Sequence, residues 1–143
     1  MMPSGTISGL GSWKSMGYPF YAQKVSYTEN FNATKNREQI KVRLNKWNGV
    51  LTEIYVNDKK TGIIAYPPYE LNISKFIDIG KNEISVKVIG SLKNTFGYFY
   101  KDNHRWINGP GDWDTAPENI PGIGQYFLMD YGLTQPFSLI RMD

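Results

Sequence analysis

TEIYVNDKKTGIIAYPPYELNIS, residues 52–74, is the stretch whose pattern decides the fold. Thr52 to Val56 alternates polar and apolar side chains and is rich in β-formers. Asn57-Asp58-Lys59-Lys60-Thr61-Gly62 then offers turn chemistry, because Asn and Asp tolerate left-handed backbone angles and Gly meets no steric penalty there. An extended pattern resumes over Gly62-Ile63-Ile64-Ala65-Tyr66, so a tight β-hairpin is the economical reading. Pro67 and Pro68 fix φ and remove two amide donors. No regular strand pairs through them, and the chain must break or change partner. Beyond them Tyr69, Leu71 and Ile73 face one way, and Glu70, Asn72 and Ser74 the other.

Working outward, the same two-residue period recurs. Lys24 to Phe31 puts Val25, Tyr27 and Phe31 on one side, and Asn32 to Glu38 reads as a polar turn. Over Gln39 to Asn45, Ile40, Val42 and Leu44 face inward while Lys41, Arg43 and Asn45 face out, the pattern of a half-buried antiparallel strand. Trp47-Asn48-Gly49 and Gly80-Lys81-Asn82 read as turns, the latter reached through Phe76 to Ile79. Glu83 to Val88 aligns Ile84, Val86 and Val88. Gln125 to Met129 and Phe137 to Arg141 read as closing strands, the second at a sheet edge after Pro136. Short strands with a turn every ~8–12 residues and no sustained helical period predict an all-β, antiparallel sandwich or barrel.

Composition narrows the classes. The 143 residues suit one domain with a real core, and 41% hydrophobic against 20% charged residues describes a folded chain. Cysteine is absent, which excludes disulfides and thiolate metal sites. No apolar run approaches the ~18 residues of a membrane span, so no membrane partner is expected. The start, MMPSGTISGLGSW, lacks a charged segment and a long apolar one, so no signal peptide is expected. Its Gly and Ser content suits a domain cut from a longer chain. Up to residue 101 there are 14 Lys+Arg against 7 Asp+Glu, and after it 2 against 6. The basic residues are dispersed, as in Lys41, Lys59 and Lys81, which blunts sheet edges. A nucleic-acid surface would cluster them, so no nucleic-acid partner is expected.

Several pieces together resemble the sugar-binding-type jelly-roll domain of family 2 glycoside hydrolases and related large bacterial glycosidases, a galactose-binding-like fold. They are Trp13 with Gly17-Tyr18-Pro19-Phe20-Tyr21, then Val25-Ser26-Tyr27, and Ile54 to Lys59 with Gly62. Pro67-Pro68-Tyr69-Glu70-Leu71-Asn72-Ile73-Ser74 and Ile79 to Val88 follow. Asp58 stands where the family has Gly, and Asn72-Ile73-Ser74 where it has Asp-Ile-Thr; both departures keep turn or capping chemistry. Leu92-Lys93-Asn94 and Tyr126 to Pro136 look like the C-terminal version of this domain, and the match spans roughly residues 13–137 with gaps. The resemblance implies a β-sandwich jelly roll over residues 1–143, with catalysis in another domain of the parent glycosidase. It implies a bacterial parent working in the periplasm or outside the cell, so the patterns Asn32-Ala-Thr and Asn72-Ile-Ser carry no weight as glycosylation sites.

Tyr98 to Gly124 differs from the rest, being long, rich in Gly, Pro, Asn and Asp, and home to the only His. A loop of this length in a compact domain is often functional. Sugar rings stack their C–H faces on flat aromatic rings while short polar groups bond the hydroxyls. Trp106 and Trp113, with Tyr100, His104, Arg105, Asp112 and Asp114, supply that mixture and are the candidate carbohydrate-binding residues. The competing reading is that the two tryptophans pin the loop to the sandwich. Asp102, Asn103, Asn108, Asp112 and Asp114 offer hard oxygen ligands for a structural Ca²⁺, which galactose-binding-like domains often hold, though without EF-hand spacing. No other cofactor is expected. Glycoside hydrolysis needs two carboxyls about 5–9.5 Å apart, and Asp112 and Asp114 are the nearest sequence pair. His104 has no placed nucleophile, and no catalytic residue is assigned. Trp13, Tyr18, Tyr66 and Tyr69 are read as core or corner packing.

The expected function is non-catalytic carbohydrate binding in an accessory domain, with carbohydrate and the parent's catalytic domain as partners. The alternative is a purely structural domain that packs on the catalytic domain and shapes its cleft.

Overall fold

The computed structural model describes residues 9–96, 119–120 and 122–142. Its strands are β1 (Lys24–Ala33), β2 (Ile40–Arg43), β3 (Trp47–Asn48), β4 (Leu51–Val56) and β5 (Lys59–Ile64). Then come β6 (Glu70–Asn72), β7 (Gly80–Ile89), β8 (Gly132–Leu133) and β9 (Ser138–Arg141). One short helix, α1 (Lys93–Phe96), and 3-10 turns at Ser74–Phe76 and Ile123–Gln125 complete the described elements.

The hairpin forms where the sequence places it, with a tighter turn than the six residues expected. Asn57 and Asp58 alone make the turn, with φ of 49° and 63°, and pairing resumes at Val56 opposite Lys59. Two consecutive left-handed residues match the right-handed twist of the flanking strands, which is why Asn-Asp suffices. The pairing shifts at Ile54/Tyr55, and the Thr61 hydroxyl donates to the Ile54 carbonyl at 3.0 Å across that bulge.

Four strands in the order β1-β7-β4-β5 form one sheet, and β6-β2-β9 forms a second. Every described pairing is antiparallel. Ile54, Val56, Ile84, Val86 and Val88 from the first sheet share one buried core with Ile40 and Val42 from the second. This is the two-layer β-sandwich that the alternation predicted. Each such side chain stabilises the fold by about 1.5–3 kcal/mol relative to exposure. Thr52 follows Ile54 and Val56 inward, and its hydroxyl is satisfied by the Ile64 carbonyl at 3.3 Å. β9 lies at a sheet edge, as expected after Pro136.

Trp13 closes one end of the core. It is 1% exposed, meets Tyr21 edge-on at 5.6 Å and Tyr131 at 5.8 Å, and donates from Nε1 to the Tyr27 hydroxyl at 3.0 Å. That hydroxyl also accepts from the Leu133 amide at 3.1 Å. Gly132, at φ 131°, lies so close that a Cβ there would sit on the Gly11 carbonyl and 2.9 Å from Trp13 Nε1.

Several local expectations are corrected. Trp47-Asn48-Gly49 is not a plain turn, because Trp47 and Asn48 pair with Leu133 and Gly132 as a two-stranded ribbon. Gly80-Lys81-Asn82 begins β7 instead of turning, paired with Ala33, Asn32 and Phe31. Buried Asn82 bonds the backbone of the preceding residues and so carries the turn upstream. Ser74 is buried rather than outward, since β6 ends at Asn72 and the Ser74 hydroxyl accepts from the Ile40 amide at 3.0 Å. Gln125 to Met129 is not a strand: a 3-10 turn covers Ile123–Gln125, and Met129 bonds to a side chain instead of a ladder. Trp13 packs in the core and Tyr69 against it, but Tyr18 is 41% and Tyr66 82% exposed.

Candidate functional site

All the residues nominated for ligand contact lie outside the described residues: Tyr100, His104, Arg105, Trp106, Asp112, Trp113 and Asp114. So do the calcium candidates Asp102, Asn103 and Asn108. The described residues do fix where that stretch leaves and rejoins the sandwich. Buried Asn94, in α1, donates from Nδ2 to the Met129 carbonyl and accepts the Met129 amide at Oδ1, both at 2.8 Å. Thr95 donates to the Phe20 carbonyl at 2.8 Å, and the Phe20 ring meets Tyr126 edge-on at 5.3 Å. Among the described residues, no group of three or more His, Asp or Glu side chains gathers to hold a metal ion.

A second candidate was missed in the sequence. It is a cleft of about 350 Å³ where the chain crosses twice between the two sheets. One wall is the β2-to-β4 crossing, with Asn45, Lys46, Trp47, Asn48 and Gly49. The other is the β5-to-β6 crossing, with Ala65 and Tyr69. The Trp47 and Tyr69 rings meet at 5.7 Å and 88°, an edge-to-face pair that is only half buried. Tyr66, next to Ala65 in the chain, stands out into solvent.

Both walls are held by the backbone. Lys46 offers its carbonyl to the Thr134 amide at 3.0 Å, the Gln135 amide at 3.2 Å and the Thr134 hydroxyl at 3.1 Å. Asn45 donates from Nδ2 to the Pro136 carbonyl at 2.7 Å and to Ser138 Oγ at 2.8 Å. Gly49 has no room for a side chain, because a Cβ would come 2.8 Å from the Ile89 carbonyl and 3.1 Å from the Trp47 ring. Tyr69 adopts φ 57°, a left-handed conformation that costs a bulky residue about 1–2 kcal/mol. Its amide donates to the Tyr66 carbonyl at 3.1 Å and its carbonyl accepts the Leu44 amide at 3.0 Å, so the surroundings impose this geometry. Strained backbone of this kind concentrates at ligand clamps and switch regions.

Electrostatically the cleft is simple. Lys46 is the one basic residue among the described residues that line it. Glu70, next to Tyr69, is engaged elsewhere: Arg43 donates to it from Nε at 2.7 Å and Lys41 lies at 3.5 Å. The Arg43 hydrogen bond lowers the Glu70 pKa; burial opposes it, and charge from Arg43 and Lys41 lowers it further. Rings beside amides and one cation can stack on a C–H face, bond hydroxyls and receive an anion. The sequence signal for it, visible in retrospect, is an aromatic residue set among Asn45, Lys46 and Asn48 rather than a bare Gly-containing turn.

No protein-family model matches the chain, and no curated protein matches it. Among solved structures it is similar to a rhamnosidase from Novosphingobium sp. PP1Y, with TM-score 0.58 and 22% identity over 86% of this chain. It is also similar to a Bacteroides uniformis β-glucuronidase, with TM-score 0.48 and 22% identity over 83% of this chain. A GH2 β-galacturonidase from Eisenbergiella tayi gives TM-score 0.45 and 24% identity over 57% of this chain. The chain spans 11%, 12% and 14% of those three chains, respectively. At this identity, the likeness to the rhamnosidase is one of fold: the same β-sandwich occurs as a small part of a much larger protein.

Proposed function

We propose that the chain is a non-catalytic accessory domain of a glycoside hydrolase and that it binds carbohydrate. The observation that carries this reading is the cleft, in which two half-buried aromatic rings stand beside the amides of Asn45 and Asn48. Sugar recognition needs that pairing of a flat apolar surface with short polar groups. The fold likeness to one tenth of a rhamnosidase chain supports the accessory role. The Tyr98 to Gly124 stretch, with Trp106 and Trp113, supplies the other candidate surface.

A purely structural role has its own supporting observation. Ile63, on the edge strand β5, is 53% exposed and Val50 is 55% exposed, apolar side chains that a catalytic domain could cover.

Calorimetric titration of the chain against a panel of polysaccharides separates the two. Carbohydrate binding is expected at weak affinity, reduced by Trp47→Phe or by Trp106→Ala and Trp113→Ala. No binding to any member, with those loop variants losing only stability, would establish the structural role instead.

A further inference from the structure

The cleft carries information about the charge of its ligand. Among the described residues its polar lining is Asn45, Lys46 and Asn48, with no carboxylate. Glu70, the nearest acid in sequence, is held by Arg43 and Lys41. Asn45 spends its Nδ2 on Pro136 and Ser138, so it acts mainly to fix the wall. Asn48 is exposed and retains donor and acceptor capacity toward hydroxyls. Lys46 is exposed, while its backbone is clamped by Thr134 and Gln135. A positively charged residue anchored at its backbone, beside an edge-to-face aromatic pair and with no acid among the described lining residues, suits an anion. The volume of about 350 Å³ falls at the small end of ligand sites and suits one sugar unit rather than a long chain.

Resting on the carbohydrate-binding reading, we infer that this cleft takes an acidic saccharide unit. One sugar ring packs on Trp47 and Tyr69, its hydroxyls bond Asn48, and its anionic substituent pairs with the Lys46 ammonium. The anion is a carboxylate, as in a uronic acid, or a sulfate ester. The shared chemistry is one negative charge on a ring with an apolar face. The left-handed Tyr69 and the side-chain-free Gly49 hold the two rings in place before any ligand arrives.

The test titrates the 143-residue chain with a galacturonate trisaccharide, its fully methyl-esterified form and a galactose 6-sulfate oligosaccharide. Binding of the uronate, loss of at least about tenfold on methyl esterification, and a similar loss in Lys46→Gln are expected, because a charge-assisted hydrogen bond carries that much. Lys46→Arg should restore most of the affinity. Trp47→Phe, which keeps a ring in place, should weaken the uronate and sulfate arms alike. The sulfate arm decides which anion fits better. Equal affinity for acid and ester, or uronate binding unchanged in Lys46→Gln, overturns the inference while carbohydrate binding stands. Absence of binding to charged and neutral sugars alike overturns both.

Discussion

Asn57 donates from Nδ2 to Oδ1 of Asn82 at 2.9 Å, joining the β4–β5 hairpin turn to the first residues of β7. The pair is reciprocal with the backbone. Asn57 Oδ1 accepts the Glu83 amide at 2.9 Å, while Asn82 accepts the Asp78 amide at 3.0 Å and donates to the Asp78 carbonyl at 2.7 Å. Asn82 is 1% exposed, so its own side-chain amide would otherwise be buried without a partner.

Asn82→Ala should therefore destabilise the chain by about 1–2 kcal/mol, since it removes several part-buried hydrogen bonds together. Asn57→Gly keeps the left-handed turn and should cost less. Urea midpoints of the two single variants and the double variant give the coupling; additive effects would mean that the two amides act independently.

Gly132 and Gly17 offer a matched comparison. Both have positive φ, 131° and 90°, but only Gly132 is crowded, by Gly11 and Trp13. Gly17→Ala should cost about 1 kcal/mol, the left-handed penalty alone. Gly132→Ala should cost about 3 kcal/mol or more, since backbone and a buried indole must move. Equal melting shifts would show that the close approach is unimportant.

Tyr27→Phe removes one hydroxyl that serves two donors, Trp13 Nε1 and the Leu133 amide. A loss of about 1–3 kcal/mol is expected, with faster hydrogen exchange at Leu133 than at amides of the β4–β7 ladder. Unchanged Leu133 exchange would sink this account.

Glu38 predicts acid sensitivity. Arg141 donates to its carboxylate at 2.5 Å and the Thr34 amide at 2.7 Å, and these bonds hold its pKa at about 2 against an ordinary 4.5. The folded pKa is depressed, so its contribution is complete above pH 4.5 and disappears as pH falls toward about 2. Glu38→Gln should flatten the stability-versus-pH curve in that window. A curve parallel to the wild type there would assign the acid sensitivity to other carboxyls.

Much of the fold was legible because strand alternation is a one-dimensional record of burial. Ile54 and Val56, then Ile84, Val86 and Val88, face inward as their spacing demands. The misread pieces share a cause: side-chain bonds to distant backbone. Asn82 looks like a turn residue in the chain but works from within a strand, and Asn94 draws Met129 out of any ladder. Only one wall of the cleft leaves a mark in the sequence, for a related reason. Trp47 and Tyr69 become partners only after two separate crossings bring them together, and no local pattern encodes that encounter.

The paired bonds between Asn94 and Met129 have an evolutionary reading. They hold Asn94 and Met129, one on each side of the intervening chain, next to each other. Closing such a span costs only about 0.6 kcal/mol for each doubling of its length. A change in the length of that span therefore adds little to its closure cost, which leaves room there for new specificities to arise.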